Sequence, residues 1–207
     1  MRLKGWAIFP RIGRKFSGEE IRQFVVVLLA VALAGCANTT QRYGVSTENN
    51  QILRSIEGPR QIKVGAFTTS GPNNATINCR EMYPLTVPSS SYEAYIREAL
   101  IDELKLSGIY SERANTELTM HFEKIDFSSA FSGNWVISAQ FAFTGKPPFT
   151  VTTNYGFTDV NWGPALACSN TAAAFVPAVQ NFLKALFLDP RFGEALHSPP
   201  SAKPVGR

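Results

Sequence analysis

Between residues 118 and 157 the chain alternates apolar and polar side chains three times over, a pattern that little besides antiparallel sheet accommodates. Leu118, Met120 and Phe122 alternate with Thr119, His121 and Glu123. Trp135, Ile137, Ala139, Phe141 and Phe143 alternate with Val136, Ser138, Gln140 and Ala142, and Phe149, Val151, Thr153, Tyr155 and Phe157 hold one phase of a third stretch. Successive side chains of a strand point to opposite faces, so each stretch predicts a strand with one face toward a core. The connections are a Ser/Gly/Asn loop and Gly145-Lys-Pro-Pro148, too short for crossovers, and they predict a meander. In the first strand the apolar phase slips from even to odd numbers, because Ile125 and Phe127 continue it. One extra residue near Glu123–Lys124, a β-bulge, accounts for the slip.

Such a sheet needs a cover for its apolar face, and two segments can supply it. Tyr92, Ile96, Leu100 and Leu104 recur every fourth residue with Tyr95 and Ala99 beside them. A capping box with Ser90 at the N-cap and Glu93 three residues on opens this helix, Glu93 and Arg97 share its wetter face, and Gly108 stops it. Further on, Ala172, Phe175, Val176, Val179, Phe182, Leu183 and Leu186 keep helical spacing until Asp189-Pro190. Pro177 inside that pattern either kinks the helix or marks a later true start. Gln61–Phe67 reads as a short strand with Ile62, Val64 and Ala66 on one side, followed by a loop punctuated by Gly71, Pro72, Pro84 and Pro88. The order β-α-β-β-β-α predicts an α+β sandwich, two helices packed on one face of a mostly antiparallel four-stranded sheet.

The formal charge of +4 raises the question of nucleic acid, and its location answers it. Residues 1–35 hold Arg2, Lys4, Arg11, Arg14, Lys15 and Arg22 against Glu19 and Glu20, which is the whole excess; residues 36–207 carry 14 basic and 14 acidic side chains. No basic field remains to attract phosphate, so no nucleic-acid partner is expected. The basic segment precedes an uncharged apolar run of 11 residues, Phe24–Ala34, too short to span a bilayer comfortably and placed as in a signal peptide. Leu33-Ala34-Gly35-Cys36 then resembles the lipobox of bacterial lipoproteins. A cysteine buried behind a core strand would not explain the order of basic region, apolar run and small residues. The resemblance implies cleavage before Cys36, a diacylglyceryl group on its thiol and an acyl chain on its freed amine, enough for stable anchoring. Ala37, where an Asp would resemble an inner-membrane retention signal, implies the outer membrane, and the domain is expected on its periplasmic face.

Export leaves Cys79 and Cys168 as an even pair in an oxidising compartment: a disulfide, or two separately buried thiols. There is no C-x-x-C to suggest a redox enzyme. Residues 36–60 are polar and predict a flexible tether, the proline-rich stretch 194–207 predicts a disordered tail, and the folded domain is expected over 61–193.

Tyr92–Leu104, Leu118–Phe127 with Trp135, and Ala174-Phe-Val-Pro-Ala-Val-Gln180 resemble a family of small proteobacterial outer-membrane lipoproteins, and the element order is similar to that of the lipopolysaccharide-assembly lipoprotein and of YajG-type lipoproteins. The resemblance covers roughly two-thirds of the chain. It implies two helices on a small sheet and a non-catalytic binding or assembly role, and it carries over no catalytic residue.

The residues themselves point the same way. There are two histidines, His121 on the polar phase of a strand and His197 near the end, and no nucleophile-elbow, Walker, zinc-protease or dinucleotide pattern. No metal and no cofactor is expected. Glu123 and Asp126 form a carboxylate pair near the bulge whose simpler reading is solvated strand charge. Ten aromatics fall between Phe122 and Trp162; most belong to the core, and the loop residues Phe131 and Trp162 are the candidates for exposed binding anchors. Three functions remain to weigh: a lipid-anchored accessory that binds an envelope protein, a carrier of lipid or lipopolysaccharide in an aromatic-lined groove, and, last, a hydrolase. An apolar cleft between helix and sheet would favour the carrier; a closed sheet face with an unpaired edge would favour the protein partner.

Overall fold

The computed structural model describes residues 38–58, 61–72, 74–130, 132–158 and 163–197. In chain order the elements are β1 (Asn38–Thr39), α1 (Thr47–Ser55), β2 (Ile62–Thr69), β3 (Thr76–Cys79), β4 (Tyr83–Thr86), α2 (Tyr92–Leu106), β5 (Thr116–Ser128), β6 (Gly133–Phe143), β7 (Phe149–Phe157), α3 (Pro164–Ala173), α4 (Phe175–Leu188) and α5 (Pro190–His197). The fold is α+β. Its main sheet runs β2-β5-β6-β7, with β2 parallel to β5 and the other pairs antiparallel, and a second sheet runs β1-β4-β3.

The alternation of β5, β6 and β7 is realised as expected. Leu118, Met120, Phe122, Trp135, Ile137, Ala139, Phe141, Phe143, Phe149 and Val151 are buried. Between β5 and β6 the register steps from Phe122↔Ala139 to Lys124↔Ser138, which makes Glu123 the extra residue of the bulge. Helices α2 and α4 cover the apolar face. Phe182 of α4 lies against Phe141, 5.8 Å between ring centres, and Trp135 packs 4.7 Å from Phe175 and 6.0 Å from Tyr92. The Trp135 indole donates to the Thr171 carbonyl at 2.9 Å, satisfying one of the carbonyls left over at the C-terminal end of α3.

Pro177 sits in the first turn of α4, where no intrahelical N–H is required, so the later start is the form taken. Its ring cannot share a turn with the carbonyl four residues back, and the helix breaks at Ala174.

Several expectations need correction. The N-cap of α2 is Ser91, whose hydroxyl accepts from Ala94 N at 3.1 Å, and not Ser90. Glu93 and Arg97 do not share a wet face, since Glu93 is buried and Arg97 donates to the Val64 and Gly65 carbonyls at 3.1 Å each. Those carbonyls belong to a second irregularity, where the β2–β5 register jumps from Val64↔Leu118 to Phe67↔Met120. Ala66 is therefore turned outward and Phe67 takes the core side against Phe122, 5.8 Å between centres. A Cβ on Gly65 would lie 2.0 Å from Glu117 Oε1, so a larger residue at this bulge would have to displace the Glu117 side chain from its ion pair with Lys63.

The loop expected after β2 contains the β3–β4 hairpin, whose tip Arg80–Met82 holds Arg80 and Glu81 at φ of 47° and 63°. The segment expected as a tether contains β1 and α1, with Leu53 fully buried. Asp189-Pro190 closes α4 but also opens α5: Asp189 accepts from Arg191 N at 2.9 Å as an N-cap, with proline in the first helical position. Phe192, Ala195 and Leu196 of α5 are buried, so ordered elements run from 38 to 197 and not from 61 to 193.

The cysteines form the disulfide. Cys79 ends β3, Cys168 lies in α3, and their Cα atoms are 5.9 Å apart.

Burial pushes the phenols of Tyr43, Tyr92 and Tyr95 above the ordinary 10.0, and at Tyr43 the hydrogen bond to Glu103 adds to it. The fold therefore favours the neutral phenols. Their contribution is fully present below about pH 10 and is lost as pH rises beyond it, where the unfolded chain ionises first. In an absorbance titration these three of the six tyrosines are expected to ionise only together with alkaline unfolding. Six phenols ionising reversibly near pH 10 in the folded domain would contradict this burial.

Candidate functional site

The bulge in β5 does more than shift a register. It places Glu123 and Asp126 beside a cavity of about 530 Å³ whose other walls include Thr69 at the end of β2, Gly71 and Pro72 after it, Asn74, Thr76, Ile77 and Asn78 of the β3 strand and its approach, and Tyr92 and Glu93 at the start of α2. The lining is about half polar and half apolar, with three carboxyl side chains. One cation, Lys124, is paired with Asp126 at 3.4 Å.

Glu123 and Asp126 have separate hydrogen-bond partners. Glu123 accepts from the Ser138 hydroxyl at 2.9 Å, and Ser138 is in turn 2.8 Å from the Thr152 hydroxyl. Asp126 accepts from the N–H of Phe127 at 2.8 Å. Glu93 is different: only 9% exposed, it presents Oε2 buried without a hydrogen-bond partner in the protein. An unpaired buried carboxyl oxygen is costly and is satisfied by a donor from outside. The arrangement can hold a cationic or hydrogen-bond-donating group. Among the described residues no group of three or more His, Cys, Asp or Glu is placed to bind a metal ion.

His121 lies on the solvent side of β5, with Thr68 Oγ1 2.8 Å from Nδ1 and Ser70 Oγ 2.8 Å from Nε2. Both partners are hydroxyls, which donate or accept equally well and so fix no single tautomer. His197 is the last residue of α5.

Of the aromatics between Phe122 and Trp162, Phe122, Trp135, Phe141, Phe143 and Phe149 are buried, and Phe127, Tyr155 and Phe157 pack against the core. Their surface is taken up by packing, and the cavity at the bulge borrows only Tyr92 from the aromatic set. Cys36, Phe131 and Trp162 lie outside the described residues.

What remains open is an edge. β7 pairs with β6 along Phe149–Phe157, and among the described residues no strand pairs with its other side. Its nine residues, FTVTTNYGF, carry no charge and no proline. Natural edges are commonly blunted by lysine, proline or bulges, and this one has none of these.

A second feature escaped sequence reasoning. Glu103, fully buried on α2, accepts through Oε1 from the Tyr43 hydroxyl at 2.6 Å, from Ser46 N at 2.8 Å and from Asn49 Nδ2 at 3.4 Å. Asn49 also donates to the Gln180 carbonyl at 3.1 Å, and Gln180 Nε2 to the Gly44 carbonyl at 2.8 Å. The N-terminal segment is thereby bound to α2 and α4. An acid at a core position of an otherwise apolar helix face, Glu103 beside Ile96, Ala99 and Leu100, was the available signal.

No protein-family model matches the chain, and no curated protein matches it. Among solved structures it is similar to the DUF330 protein XCC0632 from Xanthomonas campestris, at a TM-score of 0.52 and 10% identity over 76% of this chain and 93% of that one. An uncharacterized protein aligns at a TM-score of 0.42 and 9% identity, covering 72% and 97% of the two chains. Lipoprotein GNA1162 from Neisseria meningitidis aligns at 0.25 and 14%, covering 59% and 99%. None of the three is described as a lipopolysaccharide-assembly or YajG-type lipoprotein. At these identities the first similarity establishes a shared fold, and the fold alone.

Proposed function

We propose that this chain is a lipid-anchored lipoprotein of the outer membrane, held by Cys36 on the periplasmic face, whose domain is a non-catalytic binding or assembly accessory for an envelope protein. The observation that carries the reading is the edge of β7. A nine-residue strand whose outer side pairs with no strand among the described residues, and which carries no protective charge, is suited to receive a strand from a partner, with main-chain hydrogen bonds giving affinity. The closed aromatic core supports the same choice, since the face between helices and sheet is filled by side chains.

The test uses the full chain exported with its own leader and a photoreactive residue at Thr150 or Asn154 of β7, with Lys105 on α2 as control. Both β7 positions are expected to give adducts with one and the same envelope protein, and Lys105 none. Adducts that are absent, or equal at the control, would remove the edge as the interface; adducts with lipid would favour a carrier. In parallel, Cys36→Ser is expected to abolish incorporation of labelled fatty acid, and continued incorporation would overturn the anchor.

A further inference from the structure

We propose that one particular end of the domain, the β3–β4 hairpin tip together with the first turn of α3, lies against the membrane, with Met82 and Leu166 in the boundary between headgroups and acyl chains. The inference rests on the reading of Cys36 as the lipidated residue.

The first observation is that there is no slack. β1 begins at Asn38, and the chain from there to Ser55 is bound to the domain: Thr40 N donates to the Thr86 carbonyl at 2.7 Å, the Tyr95 hydroxyl to the Gln41 carbonyl at 2.8 Å, and Tyr43, Ser46 and Asn49 to Glu103. Ala37 alone separates Cys36 from β1. Two residues reach at most ~7 Å. The headgroup layer on each side of a bilayer is about 5–8 Å thick, so a lipid on Cys36 leaves Asn38 at the outer surface of that layer.

The second observation is direction. β1 is parallel to β4, with Asn38 opposite Leu85 and Thr39 opposite Thr86. The chain therefore enters β1 from the Tyr83 end of β4, and Tyr83 follows directly on the hairpin tip Arg80–Met82.

The third is what that end presents. Met82 is 79% exposed, the largest exposure among the described large apolar side chains. The disulfide ties the base of the tip to α3, where Leu166, two residues before Cys168, is 51% exposed. Arg80 donates to the Ser129 carbonyl at 2.7 Å, which fixes the tip against the loop after β5. An apolar side chain exposed singly is ordinary on any surface. These two are set apart by sharing a disulfide-stapled end that the anchor cannot leave, where burying them in the interface is favourable and leaving them in water is not.

The experiment uses the full-length protein purified from membranes and reconstituted into phosphatidylethanolamine–phosphatidylglycerol vesicles containing lipids with a quencher near the top of the acyl chain. An environment-sensitive fluorescent residue is placed at position 82, 166 or 146. Lys146 lies in the β6–β7 turn, at the far end of β6 from the loop that Arg80 grips, roughly 30 Å of strand away. Intact mass of each sample reports acylation of Cys36. With Cys36 acylated, the probes at 82 and 166 are expected to be quenched several-fold more strongly than the probe at 146. Equal quenching at all three, or none at 82 and 166, in acylated protein overturns the proposed face while leaving the anchor intact. A mass without acyl chains removes the lipoprotein reading, and this inference with it.

Discussion

Replacing Cys79 and Cys168 together by alanine is expected to lower the thermal midpoint by roughly 10–15 °C, a loss of about 4–5 kcal/mol. The bridge joins residues 89 positions apart and so removes a large loop entropy from the unfolded chain. Its value is also local. The sheet it braces is built from strands of two and four residues, far below the length at which pairing alone holds a register. The hairpin tip keeps two non-glycine residues at positive φ, which costs of order 1 kcal/mol or more apiece. Without the bridge, Arg80 and its hold on Ser129 bear that load. Local opening should therefore precede global unfolding, with protease cleaving first between Cys79 and Tyr83. Thermal scans of the double variant beside the oxidised protein give the size, and thiol titration of the unfolded, unreduced protein should find Cys79 and Cys168 both blocked. Equal midpoints, or two reactive thiols, would refute the bridge as a stabilising element.

The parts of this fold that could be read in sequence are those whose cause is local. Alternation fixes which face of β5, β6 and β7 is buried, and the phase slip at Ile125 betrays the extra residue Glu123 because a single insertion must invert every later side chain. Gly108, at φ 79°, ends α2 for the same reason: one position demands one backbone conformation. The parts that could not be read depend on partners far along the chain. β3 and β4 have no Asn-Gly or Asp-Gly at their turn, and what holds Arg80 and Glu81 there is Cys168 and Ser129. Helix α1 offers only Ile52 and Leu53, with Ile56 at its C-cap, among polar residues, and its docking rests on a carboxyl group more than fifty positions away. Two of the differences carry a local signal. Gly65 inside an apolar run was a bulge signal, and it explains Ala66 facing outward. Asp189-Pro190 has the form of a helix start as much as of a stop.

The site divides along the same line. Glu123 and Asp126 could be placed near the bulge from spacing alone, but Glu93 joins them only because α2 and β3 converge there, and the free edge of β7 follows from strand order, which alternation does not determine.

Glu103 carries the second large effect. Glu103→Ala would strip the Tyr43 hydroxyl and Ser46 N of their acceptor, while Asn49 keeps the Gln180 carbonyl. Two donors left unpaired at 1–3 kcal/mol each predict a loss of about 2–6 kcal/mol. The loss should not be spread over the domain. Ser46 is the N-cap of α1, and a helix of nine residues does not persist in water without its docking surface. The expected outcome is therefore release of the stretch around α1 as a unit, seen as protease cleavage between Tyr43 and Ser55 and as Tyr43 ionising near pH 10 while Tyr92 remains protected. Glu103→Gln keeps an acceptor oxygen in place and should retain most of the stability, which separates the hydrogen bonds from the packing of the side chain. With residues 41–56 away from α2 and α4, β1 still pairs with β4 and Thr40 N still donates to the Thr86 carbonyl, so the anchor stays close and quenching of a probe at Met82 in acylated protein should persist. An Ala variant that keeps its melting temperature and the protease resistance of α1 would mean that this carboxyl group does not hold the segment to the domain.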